Sequence, residues 1–194
     1  MKTKKTFSVL TACLKCLTVL LALSVTQTAC AQSSGGKTVP GSNLADKLTW
    51  LQANAESDGK YILEVRANES FAPYEFSYGG RNNVTITLKG VGANRAISLA
   101  SEGSMFTIGS GFTLVLETIT LYGRNNNNAP LVVVGKNGTL IMNNGSAVSG
   151  NTGGGGVSVG NGTFTMSGGV FVPSGTFIPN GGTVSGNTPD DVWP

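Results

Sequence analysis

Residues 108–116 read IGSGFTLVL, and the chain writes that phrase twice more, as VGKNGTLIM at 134–142 and VGNGTFTM at 159–166. The threonines that open the apolar part, Thr113, Thr139 and Thr163, lie 26 and 24 residues apart. Ser149-Gly150-Asn151-Thr152 recurs as Ser185-Gly186-Asn187-Thr188. Thr85-Ile86-Thr87-Leu88-Lys89-Gly90 recurs as Thr118-Ile119-Thr120-Leu121-Tyr122-Gly123, thirty-three residues on. Each phrase is a short β-branched run introduced by Gly or Asn, which is the signature of a strand after a turn. Self-similarity at a period of this size marks stacked repeats rather than independent hairpins.

The runs extend from Tyr61–Val65 to Thr176–Ile178 and include Val84–Leu88, Thr118–Leu121, Leu131–Val134, Thr139–Met142, Val157–Val159, Thr163–Met166 and Val170–Val172. Most hold three to five residues. Hairpins that short are marginal alone, so neighbouring coils must supply the pairing. A coil with three short strands lays each strand on its equivalent in the next coil, about 4.8 Å away. Leu114, Leu140 and Phe164 then form one inward column. Glycine makes the sharp corners, and asparagine tolerates left-handed turns while hydrogen-bonding along a ladder of its own kind. The expected fold is an all-β solenoid, a short right-handed parallel β-helix of about four to five coils over residues 60–188. A sandwich or barrel would use longer alternating strands and tight two-residue turns. The Tyr and Phe residues between 71 and 78 are expected to close a loop over the first coil.

Upstream of the strands the period changes. Leu44, Leu48, Leu51 and Ala55 recur at helical spacing within 43–58, with Ser42 or Asn43 as the cap and Asp58-Gly59 as the stop. A solenoid exposes unpaired strand edges at its ends. The helix is therefore expected to lie across the first coil as a lid. At the other end only the tail 189–194 is available, where Trp193 would cover part of the last coil and Asp190 and Asp191 would keep the edge soluble.

Residues 1–30 have the organisation of an export signal. Met1–Lys5 is charged, Cys16–Val25 is a run of ten apolar or small residues, and Thr28-Ala29-Cys30-Ala31 follows. Ten residues are too few to span a bilayer, which takes about twenty. Two processing routes fit. Cleavage before Cys30 with lipidation of that cysteine suits Ala29, although Gln27 replaces the usual aliphatic residue. Cleavage after Ala31 reads Ala29-Cys30-Ala31 as a small-residue site and releases a secreted or periplasmic chain. Lipidation is the preferred route, because residues 31–42 (AQSSGGKTVPGS) have the composition of a flexible tether.

Composition narrows the function. The chain has 194 residues, 13 Lys and Arg, 10 Asp and Glu, and no His. Four of the lysines fall in the first thirty residues, so the remainder carries nine cations against ten acids. That balance provides no basic face for nucleic acid. All three cysteines, Cys13, Cys16 and Cys30, lie in the leader, which excludes a disulfide framework for the body. From Thr118 to Pro189 there is no carboxylate in 72 residues, and only Arg124 and Lys136 are cationic. A calcium site or a glycosidase pair needs carboxylates there. The glycines of 153–162 are followed by no Lys-Ser/Thr and contain no Asp, so they read as a flexible corner rather than a phosphate or calcium loop. No catalytic residue, cofactor site or metal site is expected. Glu64, Glu69 and Glu75, beside Arg66 and Arg81, are the one place a catalytic pair would fit, and they read as solvated charges of the first coil. Tyr74, Tyr78, Arg81, Tyr122 and Arg124 are the candidate ligand contacts, since exposed aromatic rings stack on sugars. Asn125–Asn128 reads as a polar loop tip.

Gly162–Val170 (GTFTMSGGV), the two Ser-Gly-Asn-Thr runs, and Gly153–Gly156 followed by Val157-Ser158-Val159 resemble the right-handed parallel β-helix repeat lipoproteins of spirochaetes. The helix sequence Leu-Ala-Asp-Lys-Leu-Thr-Trp-Leu-Gln and the strand Ile-Thr-Leu-Lys-Gly resemble the amino-terminal region of the same proteins. The likeness runs from the leader to Thr188, with few repeats and a degenerate Val170–Ser174. It implies a pectin-lyase-like architecture and a membrane partner reached through lipid on Cys30. It also implies a place in the cell envelope, at the outer membrane or cell surface, with a role in display, adhesion or envelope structure. A carbohydrate-binding or carbohydrate-active module, meeting an extracellular glycan or host surface, is the alternative.

Overall fold

The computed structural model describes residues 35–166 and three further strands at 176–178, 183–185 and 192–193. Three parallel sheets wind around one apolar interior. The first is seven-stranded. It runs β1 (Lys37–Thr38), β2 (Lys60–Val65), β5 (Val84–Gly90), β8 (Phe112–Glu117), β11 (Thr139–Met142), β14 (Thr163–Met166) and β15 (Thr176–Ile178). The second holds β3 (Glu69–Phe71), β6 (Arg95–Leu99), β9 (Ile119–Tyr122), β12 (Ala147–Ser149) and β16 (Thr183–Ser185). The third holds β4 (Tyr74–Phe76), β7 (Phe106–Ile108), β10 (Val132–Val134), β13 (Val157–Val159) and β17 (Val192–Trp193). Every strand pairing is parallel, so the chain is a parallel β-helix.

Strand register turns sequence alternation into columns. Tyr61, Ile86, Leu114, Leu140 and Phe164 lie on one another and are all buried. Leu63, Leu88, Leu116 and Met142 form the next column. Ile97, Leu121 and Val148 line the second sheet from inside, and Phe106, Val132 and Val157 the third. Like side chains at one level fill like volumes, which keeps the interior close-packed with few rotamer choices. On the outer side of the first sheet Thr85, Thr113, Thr139 and Thr163 stack in the same way, half-buried.

The corner entering the first sheet is as regular as the core. Asp58, Asn83, Gly111, Asn137 and Asn161 occupy one position in successive coils, and all five have positive φ, between 55° and 81°. Left-handed backbone is open to Gly and least costly after it for Asn and Asp. Neighbouring rungs are tied here: Asn83 Nδ2 donates to Asp58 Oδ1 at 2.7 Å, and the Gly111 and Asn137 amides donate to the carbonyls of Asn137 and Asn161. The corner between the second and third sheets uses asparagine differently. Asn127 and Asn151 are fully buried. Asn127 accepts from the Gly103 amide and donates to the Gly103 and Ala129 carbonyls and to Asn151 Oδ1. Asn151 donates to Ala129 and Gly155. Asn125–Asn128 is thus not merely a loop tip: its third residue is a structural pin. The glycine run is likewise a packed corner, since a β-carbon on Gly154 would lie 2.2 Å from the Ala129 backbone.

Several sequence expectations change. The repeated Thr-Ile-Thr-Leu phrase is not a coil period: its first copy lies in β5 of the first sheet and its second spans the corner into β9 of the second. Residues 69–76 are not a loop over the first coil but two of its strands, with Phe76 inside. The tether of 31–42 ends sooner, because Lys37–Thr38 pairs with β2 and Val39 is buried. Val192–Trp193 adds a rung to the third sheet, so the tail is part of the wall. The expected strand Val170–Val172 lies outside the described residues.

The helix, α1 (Leu44–Asn54), is shorter than 43–58. Asn43 is its cap, accepting from the Asp46 amide at 2.8 Å, while Asp46 accepts from the Ser42 amide and hydroxyl. Those Ser42 bonds hold the Asp46 carboxyl below the usual range. Leu44, Leu48, Leu51 and Ala55 are buried, and Trp50 meets Tyr61 edge-on at 6.3 Å. The Leu44 amide donates to Glu69 Oε2 at 2.8 Å, which fixes the helix start to the first coil. The helix is the expected lid.

Two stability measurements follow. Leu48→Asp places an unpaired charge under the lid and is expected to cost roughly 3–5 kcal/mol in a denaturant melt; a near-silent variant excludes the lid. Thr118, a β-branched residue at φ 51, stacks on Gly145 at φ 77. Thr118→Asn relieves left-handed strain and is expected to add about 1 kcal/mol, seen as a higher melting temperature.

Candidate functional site

The five candidate contacts separate into two places. Tyr74 opens β4 and Tyr78 follows it, and their hydroxyls meet at 2.9 Å. Tyr78 is only 4% exposed and stands edge-on to Phe112, with ring centroids 5.0 Å apart. Arg81 sits 6.0 Å over the Tyr78 ring and donates to the Gln52 carbonyl at the end of α1. This group closes the corner of the first coil against the lid, and the Tyr78 ring is not open to a ligand there. Tyr122 and Arg124 belong to the end of β9 and the corner after it. Tyr122 is 51% exposed, with its ring against the Gly150 backbone, where a β-carbon would come within 2.8 Å. Its column is otherwise serine: Ser70, Ser98, Ser149 and Ser185. Arg124 is exposed. Of the set, Tyr122 and Arg124 are exposed, Tyr74 and Arg81 are half-buried, and Tyr78 is buried.

The first-coil glutamates have separate tasks. Glu69 receives the helix amide. Glu64 pairs with Arg66, whose side chain is 72% exposed. Glu75 is exposed on β4. Glu64 and Glu69 nonetheless border a shared feature that the sequence did not reveal. A pocket of about 350 Å³ opens between the β1–α1 connection, the first turn of α1 and the ends of β2 and β3. Lys47, Arg66, Thr38 and Ser42 also line it. Lys47 is 7% exposed and is the one buried cation of the described residues. A β-carbon on Gly41 would fall 2.9 Å from Lys47 Cγ, so the stem is wedged against the main chain. The signal available in sequence was Gly41 six residues before a lysine on the apolar side of the helix, which is too weak to single out. Cys30 lies outside the described residues. No family model, curated protein sequence or solved structure matches the chain.

Burial pushes the Tyr74 hydroxyl up from 10.0, and burial with the Tyr74 contact pushes Tyr78 up further. A phenol whose folded value is raised contributes stability below its unfolded value and loses it as pH rises through the folded one. Stability is therefore expected to hold up to about pH 10 and to fall above it. An absorbance titration should show a late phenolate phase that Tyr78→Phe removes.

Proposed function

We propose that this is an exported cell-envelope protein, held to a membrane by lipid on Cys30, with a non-catalytic β-helix body that serves surface display, adhesion or envelope structure. The observation that carries the reading is the leader: a charged start, ten apolar or small residues and Ala29-Cys30, in a chain whose three cysteines all fall within that stretch. The likeness to spirochaete β-helix lipoproteins supports it. The body suits the role. Its wall from Thr118 to Pro189 carries no carboxylate, and its outer columns include one of threonines, Thr113, Thr139 and Thr163, and one mostly of serines. Such a surface offers repeated weak contacts rather than an acid–base pair.

Glycan binding is the second reading, favoured by the exposed Tyr122 ring in a column of serines with Arg124 nearby in sequence. A glycan array separates the two: selective retention of one glycan class, lost in Tyr122→Ala, would establish the binding module.

Metabolic labelling with an alkyne-tagged palmitate tests the anchor. The parent chain is expected to take the label and to sediment with membranes, and Cys30→Ala to do neither. An unlabelled mature chain beginning at Gln32 would replace the lipoprotein by a secreted protein.

A further inference from the structure

The Lys47 pocket joins three observations. The lysine is more than nine-tenths buried, yet no hydrogen bond or ion pair reaches its side chain among the described residues. No fully buried side-chain nitrogen or oxygen among those residues lacks a partner, so the Lys47 ammonium keeps some solvent contact, and Lys47 lines the pocket. Its neighbours have partners of their own: Arg66 pairs with Glu64, and Glu69 accepts from the amide at the start of α1. The lining thus carries two cations and two carboxylates, and Lys47 is the cation with no ion pair, in a cavity of ligand size, where small-molecule pockets start at about 300 Å³. An ammonium with no ionic partner in the fold gains a charge-assisted hydrogen bond from a bound anion.

The donor and acceptor inventory defines the anion further. Lys47 and the unused guanidinium nitrogens of Arg66 only donate. Glu64 and Glu69 only accept. The ligand must bring a single anionic acceptor for the first pair and hydroxyl donors for the second. The two lining carboxylates balance Lys47 and Arg66, so the lining has no net positive charge to hold a dianion, which argues against phosphate. We infer that the pocket between the lid helix and the first coil binds a small hydroxylated monocarboxylate, an acidic sugar, with its carboxylate on Lys47 and its hydroxyls toward Glu64 and Glu69. This site is independent of the anchor on Cys30 and of the Tyr122 surface.

The test uses the intact chain and three variants, Lys47→Met, Arg66→Gln and Tyr122→Ala, in calorimetric titrations and thermal melts. The probes are glucuronate, galacturonate, an acidic oligosaccharide, glucose, alanine and inorganic phosphate. Uronate is expected to bind the parent and Tyr122→Ala alike, and Lys47→Met at least about tenfold more weakly, since a hydrogen bond to a charged group is lost. Without ligand, Lys47→Met should melt no lower than the parent, because it removes a charge that has no partner in the fold and keeps the packed stem. Arg66→Gln, altered at an exposed side chain, retains the fold and should weaken uronate binding to a smaller degree. Equal affinity for the monosaccharide and the oligosaccharide places a free acid in the pocket, and tighter oligosaccharide binding makes it the end of a polymer; either supports the site. No uronate binding, binding unchanged in Lys47→Met, or a preference for alanine, glucose or phosphate overturns the assignment. A Lys47→Met chain that melts well below the parent also overturns it, by showing that the lysine is partnered within the fold.

Discussion

The solenoid depends on a run of left-handed residues at one corner. Asp58, Asn83, Gly111, Asn137 and Asn161 each reverse the backbone immediately before a strand of the first sheet. Because they sit at the same level of each coil, β2, β5, β8, β11 and β14 leave their corners in phase with one another. A slip of one residue would turn each apolar column outward and, at two of the corners, bring Val84 or Phe112 into the left-handed position. Corner and core therefore enforce the same register. The seven-stranded sheet is the longest of the three, and its four central pairings share this entry.

What the corner cannot supply is an end. At the first coil β1 adds only two residues of pairing to β2, and the apolar level formed by Tyr61 and Leu63 remains to be covered. The helix meets that need with three leucines, and its position is set by polar contacts at both termini, Glu69 at the start and Arg81 at the end. The first coil is accordingly where charge, aromatic rings and a buried lysine gather. Farther along, the charges on the outer face of the first sheet oppose one another in a column, Glu64, Lys89 and Glu117, with Lys89 and Glu117 3.5 Å apart. Exposed pairs of this kind contribute little to stability, and their alternation avoids like charges one rung apart.

The legible part of the fold was the part that repeats with constant spacing. Leu114, Leu140 and Phe164 announced their column because the phrase around them returns at 26 and 24 residues, and the register agrees. The Ser-Gly-Asn-Thr copies behave likewise, Ser149 lying on Ser185. The Thr-Ile-Thr-Leu copies misled because an alternating strand suits any of the three sheets; what assigns the face is the corner before it, Asn83 in one case and Thr118 in the other. The strands at 69–71 and 74–76 were hidden by Pro73 between them and by their lack of any later copy. Asn127 was hidden by its polar neighbours, since nothing in four consecutive asparagines tells which one turns inward. The lid helix was visible from its leucines, but the pocket beneath its first turn was not, because Thr38, Lys47 and Arg66 converge only when β1 pairs with β2.

That convergence bears on how such a body acquires specificity. A repeated wall presents the same small side chains at every level, so each ligand position on it resembles the next. Discrimination needs a place where the repeat fails. The described residues offer two: Tyr122, which interrupts a serine column, and the capped end, where non-repeating segments bring a lysine without an ion pair to a cavity. The first is open and apolar and suits the face of a large surface ligand. The second is small, with fixed donors and acceptors, and suits one charged group. The cap and the pocket share their parts, for Glu69 that pins the helix and Lys47 that lies on its buried side both belong to the wall of the cavity. A ligand held there would bridge the helix and the first coil, and by binding only the closed form it would strengthen the end that the solenoid most needs to protect.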